Sequence, residues 1–278
     1  LYWAAMTAIG LLIALYVLFP IFWLFLASFK SAEELARIPV TFWPQEPTLD
    51  AYRDLLDRST QSAQLLDWRR LIANSMVVSI ASTVIVLFFG TLAGYAFARM
   101  RFPGRDVILG SLLVSRMFQG AALLLPTFRL MNAVGLYDSL FGLILLYSAF
   151  GLPFATWIIA SGLREIPLEL EEAAMMDGAS RLTAMVLVVL PLAVPALITA
   201  AMWHFVGAWS EFAFASILIE SVEKKTVTIG LASFVDYFSL DFNRVGAAAA
   251  LVALPVLLIF GVGQRYFSKG LLQGAVKG

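Results

Sequence analysis

The chain has 278 residues, 61% of them hydrophobic and 14% charged, with a mean hydropathy of +0.87. An average soluble domain is roughly 45–50% apolar and about 25% charged. Nineteen basic and nineteen acidic side chains are too few to solvate a globule of this size, which excludes a disordered chain, argues against a soluble enzyme and turns the surplus apolar surface toward lipid. Zero net charge gives no footing for a nucleic-acid partner. Without cysteine there is no disulfide framework, thiol nucleophile or cysteine-based metal site.

A bilayer core of about 30 Å takes roughly 20 apolar residues in a helix. Six runs qualify: 3–29, 71–98, 107–125, 140–163, 183–205 and 245–267. They lack the short alternating pattern of a membrane barrel, so helices are the spanning element. The first run is too long for a signal-peptide core and is read as a real span, and leucine at position 1 predicts that a short N-terminal tail is missing. Lys and Arg are denser in 99–106, 164–182 and the tail from Gln264 than in the opposite loops, which predicts cytoplasmic termini. External loop 30–70 is broken by Pro39, Pro44 and Pro47, with room for a short surface helix at 49–57.

Within the second run, Ser75, Ser79 and Ser82 share a helical face, suited either to bonding between helices or to lining a wet cavity. Gly90 and Gly94 form a small-xxx-small pair that permits close helix approach. Ionisable groups at membrane depth are costly and face a cavity or each other. Arg116, His204 and Glu211 are the candidates. Arg116 with Gln119 suits hydrogen bonding to sugar hydroxyls, or Arg116 pairs structurally with Glu211. Trp203 and Trp209 offer faces for stacking on pyranose rings or serve as interfacial aromatics. His204 reads as a hydrogen-bonded core residue or a proton relay. Asn74 completes the substrate-path candidates.

The segment from Arg164 to Gly178 reads as a short amphipathic helix. Pro167 suits its first turn, having no amide hydrogen to lose. Glu169, Glu171 and Glu172 lie where negative charge favours the helix dipole, Ala173 and Ala174 leave a smooth surface, and Gly178 is a left-handed stop. Five of the nineteen acidic residues lie in this loop: Glu165, Glu169, Glu171, Glu172 and Asp177.

The spelling Glu172-Ala-Ala-Met-Met-Asp177-Gly178-Ala179, followed by Leu190-Pro191, resembles the EAA loop of binding-protein-dependent ABC importer permeases. Val188 and Met185 are mild apolar departures from its pattern. Arg101-Phe-Pro-Gly104, Trp209-Ser-Glu-Phe212 and the tail 264–278 are similar to stretches of the MalG-like, carbohydrate-uptake class, and the likeness covers nearly the whole chain. It implies an all-α polytopic membrane protein with six transmembrane helices, the type I importer permease fold and a cytoplasmic coupling helix. It implies a prokaryotic plasma-membrane location and an external solute-binding protein, a second homologous permease forming a heterodimer, and a cytoplasmic ABC ATPase dimer as partners, with ATP and Mg used by the ATPase and no cofactor bound here. On that reading Glu172, Ala173, Ala174, Asp177 and Gly178 meet the ATPase, and Gly274, Lys277 and Gly278 of the tail reach it too. Many family members have a proline after the methionine matched by Met117, where this chain has Phe118 and Gln119.

Gly-Lys never occurs, so the phosphate-cradling loop of an ATPase is missing. With one histidine and no cysteine, no metal site is expected, and no nucleophile motif accompanies His204, so no catalytic residue is expected either. The rival class is a self-sufficient ion-coupled secondary transporter or channel using Arg116, His204 and Glu211.

Overall fold

The computed structural model describes residues 2–57, 66–118, 120–234 and 242–275, which form helices and, among the described residues, no strand. In chain order these are α1 (Tyr2–Ala27), α2 (Ala32–Ala36), α3 (Asp50–Leu56), α4 (Trp68–Arg99), α5 (Arg105–Ser115), α6 (Ala121–Ala133) and α7 (Leu140–Arg164). There follow α8 (Leu168–Met176), α9 (Arg181–Ala184), α10 (Leu190–Leu192), α11 (Val194–Trp209), α12 (Ala213–Leu218), α13 (Val227–Ala232) and α14 (Phe242–Ala275).

Four helices among the described residues are by themselves long and apolar enough to cross a membrane: Met6–Ala27 of α1, α4, α7 and Phe242–Gly263 of α14. The run at 183–205 is instead a pair, Arg181–Leu192 and Val194–Trp209, bent by 75°. A π-helical turn at Met185–Val189 precedes Pro191, and Pro195 opens α11. Both prolines lack the amide a straight helix would need. The continuous helix expected at 107–125 is also broken. Here α5 ends at Ser115, a 3₁₀ turn covers Arg116–Phe118, Gly120 takes φ +122°, and α6 starts at Ala121. That φ is open to glycine and closed to a helix.

The chain divides into two compact units, Leu1–Ile72 with Thr226–Val256 and Ala73–Lys225 with Leu257–Gly278. In the first, a Cβ added to Gly246 would lie 3.0 Å from the Leu24 carbonyl oxygen, so the α14 and α1 backbones touch. Asn243 donates to the Lys30 carbonyl. Buried Lys30 donates to the Thr41 carbonyl and stands 4.8 Å over the Trp23 ring. Glu34 of α2 accepts from Thr41 Oγ1 at 2.6 Å and from the Gln45 amide at 3.0 Å. The Thr41 hydroxyl holds its carboxyl below the usual range. The surface helix expected at 49–57 is α3, which buries Ala51 and Leu55.

In the second unit, α4 lies against α7 where the glycine pair predicted close approach. A Cβ on Gly94 would come within 2.9 Å of Ile159 Cγ2, and one on Gly90 within 3.4 Å of Ile159 Cδ1. Val86, Tyr95, Ala155, Ile159, Leu163, Met185, Val189 and Ala200 form the core around that contact. Gly151 and Gly162 of α7 leave room for His204 and Ala196 of α11. Of the serine face, Ser82 bonds between helices, its Oγ 3.1 Å from His204 Nε2 and its carbonyl 3.5 Å from Ser148 Oγ, whereas the buried Ser79 hydroxyl finds no hydrogen-bond partner among the described residues.

Candidate functional site

The break between α5 and α6, the middle of α7 and the end of α11 enclose a cavity of about 150 Å³ in the second unit. Arg116, Tyr147, Trp203, His204 and Glu211 bring its polar groups, and Phe150 and Phe214 bring apolar walls. Three predicted path residues, Arg116, Trp203 and Glu211, therefore meet in one place. Arg116 can reach it because the 3₁₀ turn frees its side chain from a regular helix face. Its Nη1 donates to the Phe150 carbonyl at 2.7 Å, and the guanidinium lies 4.6 Å over the Trp203 ring. Phe154 approaches Trp203 at 4.4 Å, so the indole already carries a cation and a second ring, which leaves less of it for a sugar than stacking supposed. Glu211 follows α11 and caps α12, accepting from the Phe214 amide at 2.8 Å and the Ala215 amide at 3.1 Å. Tyr147 donates to the same carboxylate at 2.6 Å. The phenol went unread in the sequence, where it was hidden inside an apolar run, yet it fixes the acid that the sequence singled out.

The other path candidates lie elsewhere. Asn74 donates to the carbonyls of Glu223 at 2.8 Å and Lys225 at 3.0 Å, so both amide hydrogens fasten a loop rather than line the cavity. Trp209 is 1% exposed and stacks on Phe205 at 6.0 Å, which removes its face from any ligand. Gln119 is outside the described residues, as are Lys277 and Gly278; Gly274 lies within α14, which continues to Ala275.

The same loop region exposes a charge cluster absent from the sequence reading. Asp138, at φ +49°, accepts from the amides of Glu220 and Ser221 at 3.0 and 2.9 Å, from the Ser221 hydroxyl, and from Lys224 Nζ at 2.8 Å. Burial alone would raise its pKa, but Lys224, Ser221 and the two amides outweigh it and hold the carboxyl well below the usual range.

The segment with the EAA-like spelling forms α8 as expected. Pro167 precedes its first turn, and Gly178 at φ +94° ends it with open space where a Cβ would lie, so the glycine serves the backbone conformation and not a tight fit. Glu169, Glu172, Ala173 and Met176 recur at i, i+3, i+4 and i+7 and are exposed, Met176 by 88%. Asp177 and Gly178 are exposed beside them, whereas Ala174 is half-buried on the inner side. Glu171 points inward too and is 2% exposed. Arg99 Nε lies 3.1 Å from its Oε2 without hydrogen-bond alignment, and the Tyr95 hydroxyl donates to Oε1. Of the five acids in the loop, this one is an internal anchor.

Such a molecule is an all-α, polytopic membrane protein with broken helices, a small and mostly apolar cavity into which a few polar groups converge, and a short helix with one exposed face. Residues 3–273 match the profile of the binding-protein-dependent transport system inner membrane component, and the chain belongs to that family. It is 37% identical over 261 residues to the inner membrane ABC transporter permease protein YcjP of Escherichia coli, covering 94% of this chain and 91% of the relative. It is 34% identical to the trehalose transport system permease protein SugB of Mycobacterium tuberculosis, over 100% and 97% of the two chains. Its fold matches a chain of a bacterial ABC transporter involved in the import of the acidic polysaccharide alginate, with TM-score 0.81, 25% identity and 96% of each chain covered. The fold is that of an ABC importer permease.

Proposed function

We propose that this chain is one of two membrane subunits of an ATP-driven sugar importer, with α8 as the helix that seats on the ATPase. The observation that carries the reading is the outward face of α8, where Glu172, Ala173 and Met176 stand exposed beside Asp177 and the left-handed Gly178. A low-profile face of Ala173 and Met176 rimmed by carboxylates is exposed among the described residues and fits a groove on another protein. A rigid helix can carry a rigid-body movement of that partner into the membrane. Hydrolysis of ATP with Mg then belongs to the partner ATPase dimer, this chain binding no cofactor and performing no catalysis. Tail residues Gly274, Lys277 and Gly278 are further ATPase contacts on this reading.

A second, homologous permease completes the translocation path, cargo arrives on an external solute-binding protein, and both termini lie in the cytoplasm. The names of the relatives support a carbohydrate cargo: one permease serves trehalose, and the structural neighbour imports alginate. Within the path, the Arg116, Trp203 and Glu211 cavity is where this subunit contributes polar groups. Affinity purification of the tagged chain from native membranes tests the assembly: it should bring down an ATPase and a second permease. Ion-driven uptake by the lone chain in liposomes would overturn the proposal.

A further inference from the structure

The inner face of α8 holds a second arrangement, one that concerns how movement leaves the helix. Glu171 is fully enclosed beneath α8, against the last turns of α4, with Arg99 Nε at 3.1 Å and the Tyr95 hydroxyl donating to its other oxygen. Arg99 also donates through Nη2 to the Ile166 carbonyl at 2.9 Å, just before α8 begins. One guanidinium thus binds both the entry to α8 and its middle. At the same end, Arg164 Nη2 reaches the Phe97 carbonyl at 3.3 Å and Asp106 at 3.2 Å. Nothing else inside the described residues joins α8 to α4 by charge.

We propose that Tyr95, Arg99 and Glu171 are positioning residues that lock α8 to α4, so that a displacement of α8 is delivered to α4 as well as to the covalently connected α7 and α9. The inference rests on α8 being the ATPase-docking helix. The physical ground is directional. Turning α8 by one residue would swing Glu171 about 100° away and leave a carboxylate and a guanidinium buried without their partners, so the pair permits one register only. Apolar packing tolerates sliding; this contact does not. From α4 the link continues to Ser82, which meets His204 at the cavity, so the lock and the cavity share a helix.

The chain has no cysteine of its own, so within it a label attaches only where a cysteine is introduced. In the full transporter, labels at L170C on α8, exposed and off the docking face, and V84C on the exposed side of α4 should keep one separation with nucleotide absent and with ATP–vanadate trapped. Glu171→Gln, Arg99→Met and, most mildly, Tyr95→Phe should broaden that separation or make it shift between the two states. The same variants should lose several-fold of the ATPase stimulation by the solute-binding protein while the ATPase still co-purifies. Arg99→Lys, which keeps the charge, should restore part of it. A separation that shifts between states in the parent protein overturns the lock, and so do variants that keep the parental separation and stimulation. If the parent chain brings down no ATPase, the docking reading fails first, and the proposal falls with it at a recognisably different step.

Discussion

Two short segments of the second unit are each tied down through one carboxylate, and the two ties are built oppositely. Under α8, Glu171 is sealed from solvent and answered by a guanidinium and a phenol. At the turn before α7, Asp138 retains partial exposure and takes two backbone amides, a hydroxyl and Lys224. The sealed tie depends on both partners being present, because neither ion has water to fall back on. The open tie is distributed over several weak donors, so losing one leaves the others and solvent. A segment that transmits force needs the first kind. A segment that only has to keep a loop closed is served by the second.

The sharpest way to break the contrast is Glu171→Ala, which strands Arg99. It should cost about 3–5 kcal/mol of stability, the usual penalty for removing one member of a buried pair, read as a lower thermal midpoint of the detergent-purified complex. Glu171→Met combined with Arg99→Leu should recover most of that stability without recovering coordinated ATPase stimulation. Stability and transmission would thereby separate. Equal recovery of both would reduce the pair to ordinary packing.

Next in size is Gly178→Val. A β-branched residue at φ +94° is strained by about 1–2 kcal/mol or more, and the open space around Gly178 means that sterics with neighbours add little. The damage should therefore appear in the exit from α8: uptake falls while membrane insertion and basal ATP hydrolysis persist. Gly178→Asn, better tolerated in that region, should be milder. Equal effects of the two variants would show that backbone conformation is not what the position supplies.

Much of this architecture was legible before any coordinates. Long apolar runs announce membrane helices because lipid leaves the backbone no other solution, and the Gly90–Gly94 pair announced the contact that α7 makes with α4. The short helix α8 was legible because capping and dipole preferences are local. What stayed hidden depends on distant partners. Glu171 and Glu172 are adjacent and chemically identical, and only the arrival of Tyr95 and Arg99, contributed by α4, makes one internal and the other external. Trp209 looked as able to stack as Trp203 until Phe205 covered it. The bend in the fifth run and the break at Arg116 escaped because hydropathy measures composition over a window, whereas one glycine at φ +122° or two prolines redirect a helix at a point.

The open tie yields the smallest effect and a pH signature. Asp138→Asn preserves the shape and tolerates φ +49°, yet removes the charge that Lys224 and the two amides answer. Charge-assisted bonds of this kind contribute about 1–3 kcal/mol, and partial exposure of both partners places the loss toward the lower end. Because the folded carboxyl titrates below its unfolded value near 3.9, its contribution is present in full above that value and drains away as pH falls beneath it. The parent protein should therefore lose thermal stability on acidification below about pH 4 more steeply than Asp138→Asn, and the two should converge at the acid end. Parallel curves across that range would mean that Lys224 and the amides hold the loop without help from the charge, and the two ties would differ in burial alone.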